Sequence, residues 1–119
     1  MNAPVFIAGL GVVSAIGHNA QDCLGSFSME KAGMGELELL RSLQQGKLPV
    51  AEIKLSNQQL ASMTGLSPGI PRTALLSALA AGEAIKDAGM ENVQNSRTGF
   101  ISANTVCVMD KTEEFFESF

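Results

Sequence analysis

The sequence predicts an α/β fold on three observations. A nearly continuous apolar run rich in β-branched residues lies near the start, an alanine-rich helical pattern covers 71–89, and a second short apolar run follows at 98–103. The order strand, helix, irregular excursion, helix, strand, helix favours a mixed or parallel sheet around a central apolar helix. The chain of 119 residues is one domain at most, and this length can bury roughly two-thirds of its extended surface.

Val5-Phe6-Ile7-Ala8, continued by Leu10 and Val12-Val13, reads as a strand buried on both faces. Gly9 and Gly11 remove side chains where another backbone can pass closely, and 14–17 turns the chain out of the sheet. Asn19, with Asp22 three residues on, signals a helix over about 19–31, ended by Ala32-Gly33 and Gly35. Cys23 falls in its apolar stripe as a small core residue. The middle third is less regular: 36–43 fits a helical face, 48–53 a short edge strand with Pro49, and Ser56 caps a short helix that stops at Gly65.

Pro71 suits a first helical position, and the following residues to Ala88 are apolar on nearly every side before Gly89 ends the helix. Six alanines and Gly82 on this helix permit close approach of a neighbour. Residues 92–96 form a polar loop, 98–103 a second buried strand, and Asp110 or Thr112 can cap a last helix containing Phe115, Phe116 and Phe119.

Composition excludes several classes of function. Twelve Asp and Glu oppose eight Lys and Arg, for a net charge of -4, and the basic residues are scattered, which disfavours a phosphate-tracking surface for nucleic acid. Six Phe without Trp or Tyr give no base-stacking ladder. Cys23 and Cys107 lie far apart without metal-type spacing, so a reduced, cytoplasmic compartment is expected. The apolar stretch 3–16 lacks a cationic start and is interrupted by glycine, favouring a strand over a secretion signal. No uninterrupted apolar run reaches the roughly 18 residues of a membrane span.

Motifs narrow the chemistry further. Gly9-Leu10-Gly11-Val12-Val13-Ser14 is a near miss to the dinucleotide fingerprint, with Ser14 at the third glycine and a turn where a helix N-terminus is required. His18, the only histidine, has no nucleophile near it in sequence and reads as a surface loop residue. Cys107 ends the second predicted strand, where ligand crevices form in α/β sheets, but its apolar neighbours Val106, Val108 and Met109 suit a pocket wall better than a nucleophile. Asp110, Glu113, Glu114 and Glu117 read as a solvated acidic face on the last helix, and no metal ligands converge on it.

Taken together, these segments resemble the amino-terminal part of the β-ketoacyl-acyl carrier protein synthases, condensing enzymes of fatty-acid and polyketide biosynthesis with the thiolase-like fold. Residues 5–17, VFIAGLGVVSAIG, are similar to the family's opening strand and turn, V-x-I-T-G-x-G-x-x-S-P-x-G. Lys31-Ala32-Gly33-Met34 is similar to its R-S-G-I segment, and Arg72 through Asp87-Ala88-Gly89-Met90 to its alanine-rich helix ending in D-A-G-L. Arg97-Thr98-Gly99-Phe100-Ile101 is similar to the strand opening R-x-G-V-I. Ala15 stands where the pattern has proline, and residues 103–108 stand where it has a glycine-rich turn.

The resemblance implies an acyltransferase that elongates acyl chains by decarboxylative condensation with malonyl-acyl carrier protein. It implies acyl carrier protein and acyl substrate as partners, a homodimer or ketosynthase heterodimer, and no cofactor. The family's nucleophilic cysteine and two histidines have no counterpart in these residues, and Cys23 and Cys107 do not inherit that role. Residues 1–119 are therefore expected to be the amino-terminal portion of a synthase domain with a partial thiolase-like fold, inactive alone, with Val106, Cys107 and Met109 as candidate walls of an acyl channel. The alternatives are a noncatalytic, chain-length-factor-like partner of a ketosynthase and a small self-contained nucleotide-binding or protein-interaction domain. With an all-round apolar helix and open strand edges, the isolated chain is expected to self-associate or be only partly ordered.

Overall fold

The computed structural model describes residues 3–90, 92–95, 97–106 and 109–119. Among these residues lie α1 (Ala20–Ser28), α2 (Asn57–Thr64), α3 (Arg72–Asp87), α4 (Met109–Glu117) and one 3-10 turn (Val93–Asn95). Two isolated bridges, Ser14 with Gly17 and Gly35 with Val50, are the only β pairings among the described residues. The predicted strands at 5–13 and 98–103 thus have no ladder partner there.

Asn19 begins α1 as expected: its Oδ1 accepts the Asp22 amide at 2.8 Å while its Nδ2 donates to the Asp22 carboxylate at 2.8 Å. The expected end near residue 31 is corrected. Glu30 takes a left-handed conformation at φ 52°, its amide donates to Phe27 O and the Lys31 amide to Ser26 O, so the helix closes before Gly33 is reached. The same closure ends α3, where Gly89 has φ 65° and the Gly89 and Met90 amides donate to the Lys86 and Ile85 carbonyls.

Ser56 caps α2 and left-handed Gly65 ends it, as the sequence predicts, and Gln59 completes a reciprocal capping box that the sequence reading did not include. Helices α2 and α3 enclose the core: Leu60 and Leu75 are fully buried, joined by buried Leu55 and by partly buried Ile53, Ile70, Leu76 and Leu79. Leu75 is the one buried residue of α3, so the predicted central helix has neighbours along its length without being enclosed. The Cα radius of gyration is 16.9 Å, against about 13.5 Å for a compact domain of this length.

The middle third departs from the sequence reading, since 36–43 is not helical. The amides of Glu38, Leu39 and Leu40 converge instead on the buried carboxylate of Glu52, at 2.8, 3.0 and 2.8 Å. A helix would have turned those donors along its own axis, and an anion close by outcompetes that arrangement. The predicted edge strand at 48–53 is reduced to the single Gly35–Val50 bridge, because its residue Glu52 is committed to that amide cluster.

Candidate functional site

Residues 9–12 lie along α3 in extended form and in the opposite direction. A Cβ on Gly9 would overlap Ala84 O and stand 2.6 Å from Ala88 N; one on Gly11 would overlap Ala80 O and stand 2.8 Å from Ala84 N. Two extended residues advance about 6.6 Å and four helical residues about 6 Å, so glycine and helix turn stay in step. The intervening amides keep the same register: Leu10 N donates to Asp87 Oδ2 and Val12 N to Glu83 Oε2, both at 2.9 Å. The second Glu83 oxygen accepts Ala20 N at 2.7 Å, tying the start of α1 to the same helix. Beside this contact, residues 100–103 and Gly11, Ser77, Ala80 and Ala84 line an open groove of about 330 Å³.

The turn 14–17 folds onto α1, where Cys23 is buried with its Sγ 3.2 Å from Ser14 Oγ and 3.5 Å from Gly17 O. Ser26 Oγ donates to Ile16 O at 2.6 Å. Cys23 is thus a packed core thiol with hydrogen-bond partners. His18 is half-buried at the rim of a cavity of about 500 Å³, beside Asn19, Glu83 and Lys86.

Of the candidate channel residues, Val106 is exposed shortly before α4 and Met109 opens that helix; Cys107 lies outside the described residues. Met109 lines a cleft of about 550 Å³ with Arg41, Thr112, Glu113, Phe116 and Glu117, and Val106 is not part of that wall. On α4, Glu113, Glu114 and Glu117 are exposed and Asp110 is half-buried. Asp110, Glu113, Glu114 and Glu117 line a cavity of about 420 Å³ shared with Arg41 and Arg72.

Asp110 and Thr112 were the alternative caps expected for the last helix; both lie inside α4, and Asp110 caps another helix. Its Oδ2 accepts the Arg72 amide at 2.9 Å, supplying the side-chain cap that Pro71 cannot give α3. The Arg72 guanidinium extends the other way, donating to Ile53 O at 2.8 Å, Leu55 O at 2.6 Å and Asn57 Oδ1 at 3.1 Å.

Glu52 is the most perturbed group. Burial pushes its carboxyl up, but hydrogen bonds from the Glu38 and Leu40 amides, the Lys54 ammonium and the Leu39 amide outweigh burial and hold it at about 2. Lys54 is raised, first by its hydrogen bond to Glu38 at 2.9 Å. Each of these charges is bound within the chain. No group of three or more His, Cys, Asp or Glu is placed to hold a metal among the described residues. Nor is any of their helices long and apolar enough to cross a membrane.

The roles of Glu52, Glu83 and Asp87 went unrecognised in the sequence, and Asp110 was assigned to the wrong helix. A signal was present for one pair: Glu83 and Asp87 are four apart on an otherwise apolar helix, matching alternate amides of an extended partner. Glu52 carried no comparable signal. No family model, curated protein or solved structure matches this chain.

Proposed function

We propose that this chain is the amino-terminal portion of a β-ketoacyl-acyl carrier protein synthase, a cytoplasmic acyltransferase of fatty-acid or polyketide-type biosynthesis, and that it supplies scaffold rather than catalytic groups. One observation carries the reading. Two segments on which the resemblance rests, Gly9-Leu10-Gly11 and the alanine-rich helix ending in Asp87-Ala88-Gly89-Met90, meet each other turn for turn. The glycines of the first are needed by the alanines of the second, which gives a physical reason for both halves of the pattern. The expanded shape and the exposure of Val5, Phe6, Ile7, Phe100 and Ile101 further support a chain whose apolar segments call for additional neighbours.

In the proposed reaction a cysteine thiolate outside these residues holds the acyl group as a thioester. Loss of carbon dioxide from the malonyl unit leaves an enolate that attacks the thioester carbonyl; a carbon–carbon bond forms and the thiolate departs. Neither the thiolate nor the donors for the developing charge are assembled among the described residues, so the contribution of this chain is scaffold around that centre.

The test is to express the gene from its native start to its native stop and assay condensation of acyl and malonyl thioesters with release of carbon dioxide. Activity that requires a cysteine in a small-residue turn supports the reading. An intact fold with that cysteine replaced, active only as partner to a ketosynthase, favours the chain-length-factor alternative. A product of 119 residues that unfolds cooperatively as a monomer and neither condenses nor pairs overturns it.

A further inference from the structure

Residues 36–49 leave the body and rejoin it at one point. Gly35 and Val50 exchange amide–carbonyl bonds at 2.9 and 2.8 Å, so the two ends of the excursion are adjacent, as in an Ω-loop. Inside it the bonds are local: the Gln45 amide donates to Ser42 O, the Lys47 amide to Gln44 O, and Gln45 Nε2 to Leu37 O. Leu37 is its one buried side chain, and every residue from 41 to 49 is exposed.

Among the described residues, the polar ties from 36–49 to the body end on two side chains, Glu52 and Lys54. Glu52 Oε1 accepts the Leu39 and Leu40 amides at 3.0 and 2.8 Å, and its Oε2 accepts the Glu38 amide at 2.8 Å. Lys54 donates to Glu36 O and pairs with the Glu38 carboxylate at 2.9 Å. The two fasteners differ in strength. Glu52 is 5% exposed, so its bonds to backbone donors are formed away from water. The Lys54 and Glu38 side chains are 34 and 66% exposed, and solvent screens their attraction.

We propose that 36–49 is a strap that opens as one unit while the core between α2 and α3 stays folded, and that the Glu52 carboxylate is what fastens it. That core, built on Leu55, Leu60 and Leu75 with Ile53, Ile70, Leu76 and Leu79 around them, includes no residue of the strap. Opening therefore breaks the ties to Glu52 and Lys54 and frees Leu37, and it leaves the core contacts whole, which is the condition for a local rather than a global transition. Leu39, Leu40 and Arg41 of the strap form one wall of the cavity of about 420 Å³, whose other walls come from Asn57, Arg72 and α4. An open strap leaves that cavity without one side, so the strap acts as its lid. This device is independent of the proposed condensing activity.

The test is limited trypsin digestion of the 119-residue chain at neutral pH, with the cuts located by mass spectrometry. Arg41 and Lys47 report the strap, and Arg72 and Lys86, on α3, report the body. Where opening and closing are fast, cleavage follows the population of the open form. Glu52→Gln should speed cutting after Arg41 and Lys47 about thirtyfold or more, and both should be cut at least about tenfold faster than Arg72 and Lys86. Glu38→Gln, which removes only the exposed pair, should change strap cutting by less than about fivefold. Strap cutting unchanged by Glu52→Gln, or all four sites opened at one rate, overturns the proposal. Native-state hydrogen exchange reads the wild type directly: the amides of 38–40 should exchange through an opening at least about tenfold more populated than the one that exposes the Leu60 and Leu75 amides. A single shared opening overturns the proposal as well.

Discussion

Gly11 lies against the carbonyl of Ala80 with no space for a side chain between them. That contact, repeated by Gly9 at Ala84 one turn further along, fixes the first segment to α3. The backbone approaches closely enough for Glu83 and Asp87 to reach the alternate amides.

Gly11→Ala should therefore be destabilising by about 1–3 kcal/mol, the range for a side chain forced into filled space. Gly82→Ala, on the same helix with nothing within 4 Å of its new methyl group, should be stabilising by about 0.5–1 kcal/mol. Urea unfolding followed by circular dichroism separates the two; equal effects would contradict the packing.

Glu30 occupies the left-handed position that closes α1, where Gly89 serves the same purpose for α3. Glu30→Gly should raise stability by about 1 kcal/mol, since a side chain is disfavoured in that conformation. Thermal unfolding should move upward, and a decrease would mean that the carboxylate makes a compensating contact.

The Glu52 carboxyl is held at about 2 in the folded chain against 4.5 in the unfolded one. Because the folded state binds its proton less tightly, the ionised group stabilises fully above about pH 4.5, and that contribution is lost as the pH falls toward 2. The shift corresponds to on the order of 3 kcal/mol. Glu52→Gln should remove much of this at neutral pH and flatten the acid limb of the stability profile. An unchanged acid limb would show that other carboxylates produce it.

Asp110→Ala should cost about 1 kcal/mol, the usual value of a lost helix cap, although the helix it caps is α3 and not its own. Hydrogen exchange localises the effect: the first-turn amides of α3, led by Arg72, should lose protection. Loss confined to α4 would contradict the assignment.

Val106→Phe, made in the complete synthase that the proposal describes, should change acyl-chain length in the products. Unchanged lengths would remove Val106 from the channel wall and leave Met109 and Cys107 to be tested in the same way.

Local signals were legible wherever the chemistry was local. Asn19, Ser56, Gly65 and Gly89 act over three or four residues, and their helices begin or end as the sequence predicts. Glycines at 9 and 11 announced a close backbone approach without naming the helix that makes it. The leucine pattern at 36–43 misled because Glu52, more than ten residues away, captures the amides a helix would need. Of the candidate channel, sequence supplied residue types, but Met109 lines a cleft to which Val106 does not contribute.

By itself the sequence determined the caps, the turns and the small-residue face of α3, because these depend on neighbours along the chain and on composition. Only the tertiary structure decided which carboxylate meets which amide. Glu83 ties two segments, and Asp110 caps a foreign helix. A carboxylate takes the donor that is close in space, and that distance is written by the fold rather than by the spacing of residues.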